Sequence, residues 1–246
     1  MRTYAIGDIH GQLAKLVDAH RDILADRERT GDGEALVIHL GDLVDRGPDS
    51  RGVIEYLMHG IATGAPWRVI KGNHDHMFAE FVRYAPEDPR LPSGLSWLHD
   101  RLGGAQTLAS YGVAQKLLEK RASLAKRAAA AVPPAHLEFL DSLPLFHRTD
   151  EVMFVHAGVR PGVALQDQSE DDFLWIRDEF LNDTSDHGPL IVHGHTPVDA
   201  PEHHGNRVAL DTGAAFGGPL TVAVFEGRDV SILDGGARRP LLPFQP

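Results

Sequence analysis

The chain's 246 residues are 42% hydrophobic, enough for one large α/β domain, and its 24 Lys+Arg against 35 Asp+Glu give a formal charge of −11. That sign excludes a surface built to neutralise nucleic-acid phosphates, and the absence of cysteine excludes disulfides and thiolate metal sites. The opening MRTYAIGDIHG lacks the apolar stretch of a signal peptide, and no run reaches the roughly 18 apolar residues of a membrane span, so a cytoplasmic protein without membrane or nucleic-acid partners is expected.

In chain order, Thr3 to Ile6, Ala35 to Leu40 and Trp67 to Ile70 are short apolar runs. Each ends in a Gly-polar cluster and precedes a helix-length segment, which predicts βαβ units with buried strands. Ligands gather beyond the carboxyl ends of such strands, where the polar clusters fall. From Tyr84 to Leu143 the pattern turns helical, entered through APEDPRLPSG and left through Val132-Pro133-Pro134. This predicts a helical cap inserted into a single domain spanning 1–246. Within it Lys116, Lys120, Arg121, Lys126 and Arg127 make a basic cluster, with Leu117, Leu124 and Ala128 at helical spacing on an apolar side. A solvated amphipathic helix accounts for them; electrostatic guidance of anionic substrates is the sharper reading. Beyond the cap, Glu151 to Val155, Leu190 to Val192, Arg207 to Leu210, Leu220 to Phe225 and Val230 to Leu233 read as strands, and a second, largely antiparallel sheet is expected.

The strand ends carry the chemistry. They read Gly7-Asp8-Ile9-His10-Gly11, Gly41-Asp42-Leu43-Val44-Asp45-Arg46-Gly47, Gly72-Asn73-His74-Asp75, Val155-His156-Ala157-Gly158 and His193-Gly194-His195-Thr196. A single Asp or His at such a place is an ordinary turn former; five clusters at five strand ends point to a metal site. Carboxylate oxygens and imidazole nitrogens without sulfur suit Mn²⁺, Fe or Zn²⁺. His193 and His195 are two apart and share one side of an extended strand, so spacing does not choose between them. His39, His76, His203 and His204 are assigned no role, and Arg160 is close enough to His156 in sequence to reach a substrate or to sit idle.

The set GDIHG, GDLVDRG and GNHD, followed by VHAG and GHT, resembles the calcineurin-like metallophosphoesterases, and within them the bacterial branch of the phosphoprotein phosphatase family, from about Tyr4 to Phe225. The resemblance implies a four-layer α/β-β-α sandwich of two mixed sheets flanked by helices, holding two divalent metal ions, Mn²⁺ first and Fe or Zn²⁺ as alternatives. It implies that Asp8 and His10 bind the first ion, Asn73, His156 and His195 the second, and that Asp42 bridges both. His193 then supports its neighbour or simply packs. Two ions roughly 3.5–4 Å apart can share a hydroxide that attacks phosphorus in line and can neutralise the phosphoryl charge. Arg46 and Arg177 match positions that grip the phosphate, together with Asn73, and His74 matches a proton donor to the leaving oxygen, oriented by Asp45.

Departures from the family pattern bear on substrate. The third motif ends in Asp75 where the protein phosphatases of the family usually carry Glu, which is similar to the symmetric diadenosine tetraphosphate hydrolases. Those enzymes lack the acid that Asp45 supplies. The expected substrate is therefore a phosphoserine or phosphothreonine protein, or another small phosphomonoester. Symmetric hydrolysis of diadenosine tetraphosphate or another nucleoside polyphosphate is the alternative, and an inactive scaffold that binds phosphorylated partners is a third reading. The chain also ends soon after its last predicted strand, so regulatory subunits of the eukaryotic kind are not inferred.

Overall fold

The computed structural model describes residues 2–86, 88–92 and 94–244. Strands β1 (Arg2–Ile6), β2 (Leu36–His39) and β3 (Trp67–Val69) are parallel, and α1 (Leu13–Thr30) and α2 (Ser50–Ala62) make the crossovers between them. Helix α3 (Asn73–Tyr84) follows β3 and leads to α4 (Gly104–Ser110), α5 (Arg121–Ala131) and α6 (Pro134–Ser142). Then come β4 (Phe146–Arg148), β5 (Val152–Val155), α7 (Glu170–Trp175), α8 (Asp178–Leu181), β6 (Leu190–His193), β7 (Glu202–His203), β8 (Arg207–Ala209), β9 (Val222–Glu226), β10 (Asp229–Asp234) and β11 (Ala237–Pro240).

The strands form two mixed sheets, ordered β11-β10-β9-β1-β2-β3 and β4-β5-β6-β8-β7. This corrects the expected antiparallel second sheet. Strands β5, β6 and β8 are parallel to one another, while β9 and β10 join the first sheet, with Tyr4 of β1 opposite Val224 of β9. Period-2 alternation reveals which face of a strand is buried but not which neighbour it pairs with. The edge of β1 not taken by β2 needed a partner, and the β9–β10 hairpin, turning at Gly227 with φ 63°, covers it.

Alternation also builds the layers. Ala5, Ile38, Phe154, Val192, Val208 and Phe225 fill the space between the sheets. Their neighbours Tyr4, Ile6, Val37 and Val224 face outward onto helices that include α1, α2 and α3. On the far side Met153, Val155 and Ile191 pack on Phe173 and Phe180 of α7 and α8. The result is the four-layer order helix, sheet, sheet, helix. The cap is continuous with the first outer layer: Trp97, Leu108, Leu124, Ala128 and Leu140 belong to the same apolar cluster as Tyr4 and Phe78. Leu124 and Ala128 are buried on α5 as the helical spacing predicts, but Leu117 precedes that helix and is 93% exposed. No helix among the described residues is long and apolar enough to cross a membrane.

Because the six parallel strands of the two facing sheets deliver their carboxyl ends to one edge, the loops after β1, β2, β3, β5, β6 and β8 converge there. The close approach needs glycine at two places. A Cβ on Gly72 would overlap Asp42, and one on Gly194 would overlap Oδ1 of Asp8.

Candidate metal centre

Asp42 occupies the middle of this edge. Its Oδ1 lies 3.3 Å from Nε2 of His156 and accepts the backbone N–H of His74 at 3.0 Å; its Oδ2 is 3.4 Å from Nε2 of His10. The N–H comes from the first turn of α3, whose unpaired amides favour a negative charge. Asp8 is buried. Its Oδ2 accepts the backbone N–H of His195 at 2.9 Å, and burial, then the nearby carboxylates of Asp211 and Asp42, raise its affinity for a proton.

The tautomers make this edge a place for cations. Nδ1–H of His10 donates to the carbonyl of Val44, and that of His156 to the carbonyl of Leu40, both at 2.8 Å. That leaves each Nε2 with a lone pair, which on His10 meets the Arg46 guanidinium and on His156 faces other acceptors. Nε2 of His156 faces Oδ1 of Asn73 at 2.9 Å, and Asn73 Oδ1 also lies 3.0 Å from Nδ1 of His195. Burial pushes both His10 and His156 below the ordinary imidazole range, so protonation does not relieve the crowding of acceptors. Oδ1 of Asp8 and Nε2 of His195 are buried without a hydrogen-bond partner. Lone pairs turned on one another and orphaned buried acceptors fit cations held at this edge. Two ligand groups are close enough to share Asp42: His10 with Asp42 and His74, and Asp42 with His156 and His195.

His74 has other partners as well. Its Nδ1–H donates to Oδ2 of Asp45 at 2.6 Å, and its Nε2 lies 3.0 Å from Nη2 of Arg46. The Arg46 guanidinium also touches Nε2 of His10 and lies 5.3 Å from the ring centre of Phe216, an exposed side chain at the rim. Of the seven non-glycine residues with positive φ among those described, five belong to these loops: His10, Asp42, Asp45, Arg46 and His195. Left-handed backbone of this kind costs about 1–3 kcal/mol per residue and persists where the surroundings over-determine it, as at functional sites.

Arg177 stands in the link between α7 and α8, exposed, with Nη1 donating to Oγ1 of Thr196 at 3.1 Å and within electrostatic reach of Asp42, Asp8 and Asp211. It lines a cleft of about 340 Å³ together with Arg90, Arg160 and Trp175. Arg160 is bound by carboxylates, donating from Nε to Asp172 at 2.7 Å and pairing with Glu179. His193 packs edge-on against Phe180 and lies 3.4 Å from Nη1 of Arg207, and it belongs to neither group of potential metal ligands among the described residues. Asp75 is structural: Oδ1 accepts Leu43 N–H and Oδ2 accepts Gly72 N–H, both at 2.9 Å, tying two strand-end loops together.

Two groups of residues escaped the sequence reading. Asp211 follows β8 in Leu210-Asp211-Thr212-Gly213, the same strand-end acid pattern as Asp8 and Asp42, which was the available signal. Burial first, and the Asp42 carboxylate as well, push it up to about 6. Trp97 and Thr107, in the cap, reach Asp45 from more than fifty positions away, and no local spacing marks them.

Comparison with known proteins agrees with this geometry. Serine/threonine-protein phosphatase 1 of Salmonella typhimurium is 27% identical over 228 residues, covering 89% of this chain and 90% of that protein. The asymmetrical bis(5'-nucleosyl)-tetraphosphatase PrpE of Halalkalibacterium halodurans is 26% identical over 257 residues, covering 96% and 94%. A solved structure described as a candidate diadenosine tetraphosphatase superposes with a TM-score of 0.63 at 23% identity, covering 98% of this chain and 94% of that one, a likeness of fold. Residues 1–225 match the calcineurin-like phosphoesterase family. The chain therefore belongs to the calcineurin-like phosphoesterases, enzymes that hydrolyse phosphoric esters at a dinuclear metal centre.

Proposed function

We propose that this phosphohydrolase acts on phosphomonoesters with poor leaving groups, phosphoserine and phosphothreonine in proteins first among them. The observation that carries the reading is the 2.6 Å bond between His74 and Asp45, a buried pair beside Arg46. An alkoxide leaves badly unless it is protonated as the P–O bond breaks, and an imidazolium held by a carboxylate can supply that proton. Asp8, His10 and Asp42 would hold one divalent ion, and Asp42, Asn73, His156 and His195 the other. Oxygen and nitrogen donors without sulfur suit Mn²⁺, with Fe or Zn²⁺ as alternatives. When bound, such ions supply Lewis acidity and a nucleophile at neutral pH.

The chain's own residues do the rest. Arg46 and Arg177 bind the phosphoryl oxygens, Arg177 from the wall of the cleft and Arg46 beside the proton donor. Asn73 orients the same group from the start of α3. His74 gives a proton from Nε2 to the departing oxygen once that nitrogen, which meets Nη2 of Arg46 in the structure, has taken one up, while Asp45 keeps the ring in place.

One observation favours a second reading, hydrolysis of nucleoside polyphosphates. Phe216 is 66% exposed beside Arg46, where a nucleobase could stack. The dinucleotide relatives are named for asymmetrical cleavage, not for the symmetric cleavage weighed from the third motif. A turnover panel with Mn²⁺, comparing phosphoserine peptide, p-nitrophenyl phosphate, mononucleotides and diadenosine tetraphosphate, separates the two. Preference for the peptide supports the first reading, and exclusive cleavage of the dinucleotide replaces it with the second.

A further inference from the structure

Asp45 has no exposed surface, and both oxygens of its carboxylate accept hydrogen bonds. Oδ2 accepts Nδ1–H of His74 at 2.6 Å and Nε1–H of Trp97 at 2.7 Å, while Oδ1 accepts Oγ1–H of Thr107 at 2.6 Å. Oγ1 of Thr107 in turn accepts the backbone N–H of Asp45 at 2.8 Å, so one hydroxyl holds both the side chain and the left-handed backbone of that residue. Ser50 at the start of α2 braces the hydroxyl at 3.0 Å. Trp97 is fixed by stacking on Phe78 and Phe81, with ring centres 5.8 and 4.6 Å away.

The cap holds Arg46 as well. The carbonyl of Gly103 accepts Arg46 N–H at 3.3 Å, and the carbonyl of Arg101 accepts its Nε at 3.4 Å. Residues 97–107 therefore grip both residues that flank His74. We infer that Trp97 and Thr107, supplied by the cap, are positioning residues for proton donation: their two hydrogen bonds stop the Asp45 carboxylate from rotating and so aim Nε2 of His74 at the leaving oxygen. The inference rests on the role assigned above to His74. Without either donor the carboxylate keeps its bond to His74 but gains a free direction, and a donor misplaced by a fraction of an ångström transfers its proton less often.

The test uses Trp97→Phe, which keeps the stacking and removes the N–H, and Thr107→Val, which removes the hydroxyl, with Thr107→Ser as the conservative control. Trp97→Phe and Thr107→Val are expected to lose about ten-fold in kcat on a phosphoserine peptide, a fraction of the about 10²–10⁴-fold a general acid supplies, with KM little changed. On p-nitrophenyl phosphate, whose leaving group needs no proton, the loss is expected to stay below about three-fold. Thr107→Ser should recover the peptide activity. The ratio between substrates is insensitive to the fraction of protein folded. A second readout needs neither metal nor turnover. In the metal-free protein the Nδ1–H proton of His74, identified by its disappearance in His74→Asn, should shift in the NMR spectrum of Trp97→Phe. Equal losses on both substrates, or an unmoved resonance, would overturn the inference. His74→Asn keeps the two ideas apart. If it discriminates between the substrates and Trp97→Phe does not, the inference falls and the role of His74 stands. If it does not discriminate, that role falls and takes the inference with it.

Discussion

Nε2 of His156 and Oδ1 of Asp42 lie 3.3 Å apart with no proton between them, because the imidazole gives its only N–H to the carbonyl of Leu40. Two buried acceptors at that distance repel, and a cation converts the repulsion into binding. Asp42→Asn removes the charge both groups of ligands share. The expected result is a folded protein that binds fewer than two ions in equilibrium dialysis with Mn²⁺ and loses more than about 10³-fold in kcat/KM, beyond the about 10²–10³-fold of a single electrostatic contact. Two ions retained with near-native turnover would remove Asp42 from the bridging position.

Arg177 stands at the cleft wall and touches no proposed metal ligand in the hydrogen bonds of the structure. Arg177→Ala should therefore leave metal content unchanged while lowering kcat/KM about 10²-fold on a phosphopeptide, the scale of one lost transition-state contact. An unchanged kcat/KM would return Arg177 to a solvated role.

Phe216 discriminates between the substrate readings. Its loop is held from α1, where Nζ of Lys15 donates to the carbonyls of Ala214 and Gly218, both at 2.7 Å. Phe216→Ala should cost diadenosine tetraphosphate about ten-fold in kcat/KM, near the lower end of the 1–3 kcal/mol measured for base stacking, and cost a phosphoserine peptide much less. A larger loss on the peptide would give Phe216 a role in binding the protein substrate.

Acid should destabilise the fold through histidines away from the centre. His39 lies 2.8 Å from His20, which stacks on Trp67, and burial pushes His39 down to about 4 and His20 to about 2. The unfolded chain takes up the proton near pH 6.5 while the folded chain resists it, so this contribution is complete above that pH and is lost progressively as pH falls toward 4. For His39 alone the loss between pH 7 and 5 is about 2 kcal/mol. Urea unfolding of the protein and of His39→Gln at both pH values checks this, the variant showing the smaller acid loss. An equal acid loss in both would mean that His39 titrates normally in the folded state.

The parts of this molecule legible in its sequence are those written locally. Asp8, Asp42, Asn73, His156 and His195 each follow an apolar run within a few residues, so strand-end logic finds them, and β1, β2 and β3 announce themselves by runs that stop at glycine. Partner choice is not local. The antiparallel pairing of β9 with β1 joins positions more than two hundred apart, and strand alternation is silent about it. Strands β4, β7 and β11, which read FHR, EH and ARRP, have no apolar run to mark them. The support for Asp45 comes from Trp97 and Thr107, whose residue types fit a helical core equally well. Asp211 has the same strand-end pattern, but Leu210-Asp211-Thr212-Gly213 is not among the motifs that carry the family resemblance.

On the function proposed above, the buried His74–Asp45 pair suits this metallophosphoesterase to leaving groups that must be protonated. The most direct measurement compares His74→Asn with the unaltered protein on a phosphoserine peptide and on p-nitrophenyl phosphate, with bound Mn²⁺ quantified in the same samples. The expected loss is about 10²-fold or more on the peptide and far smaller on the nitrophenyl ester, with metal content retained. Equal losses on the two substrates, with both ions still bound, would contradict the claim and leave His74 as a phosphate-positioning group.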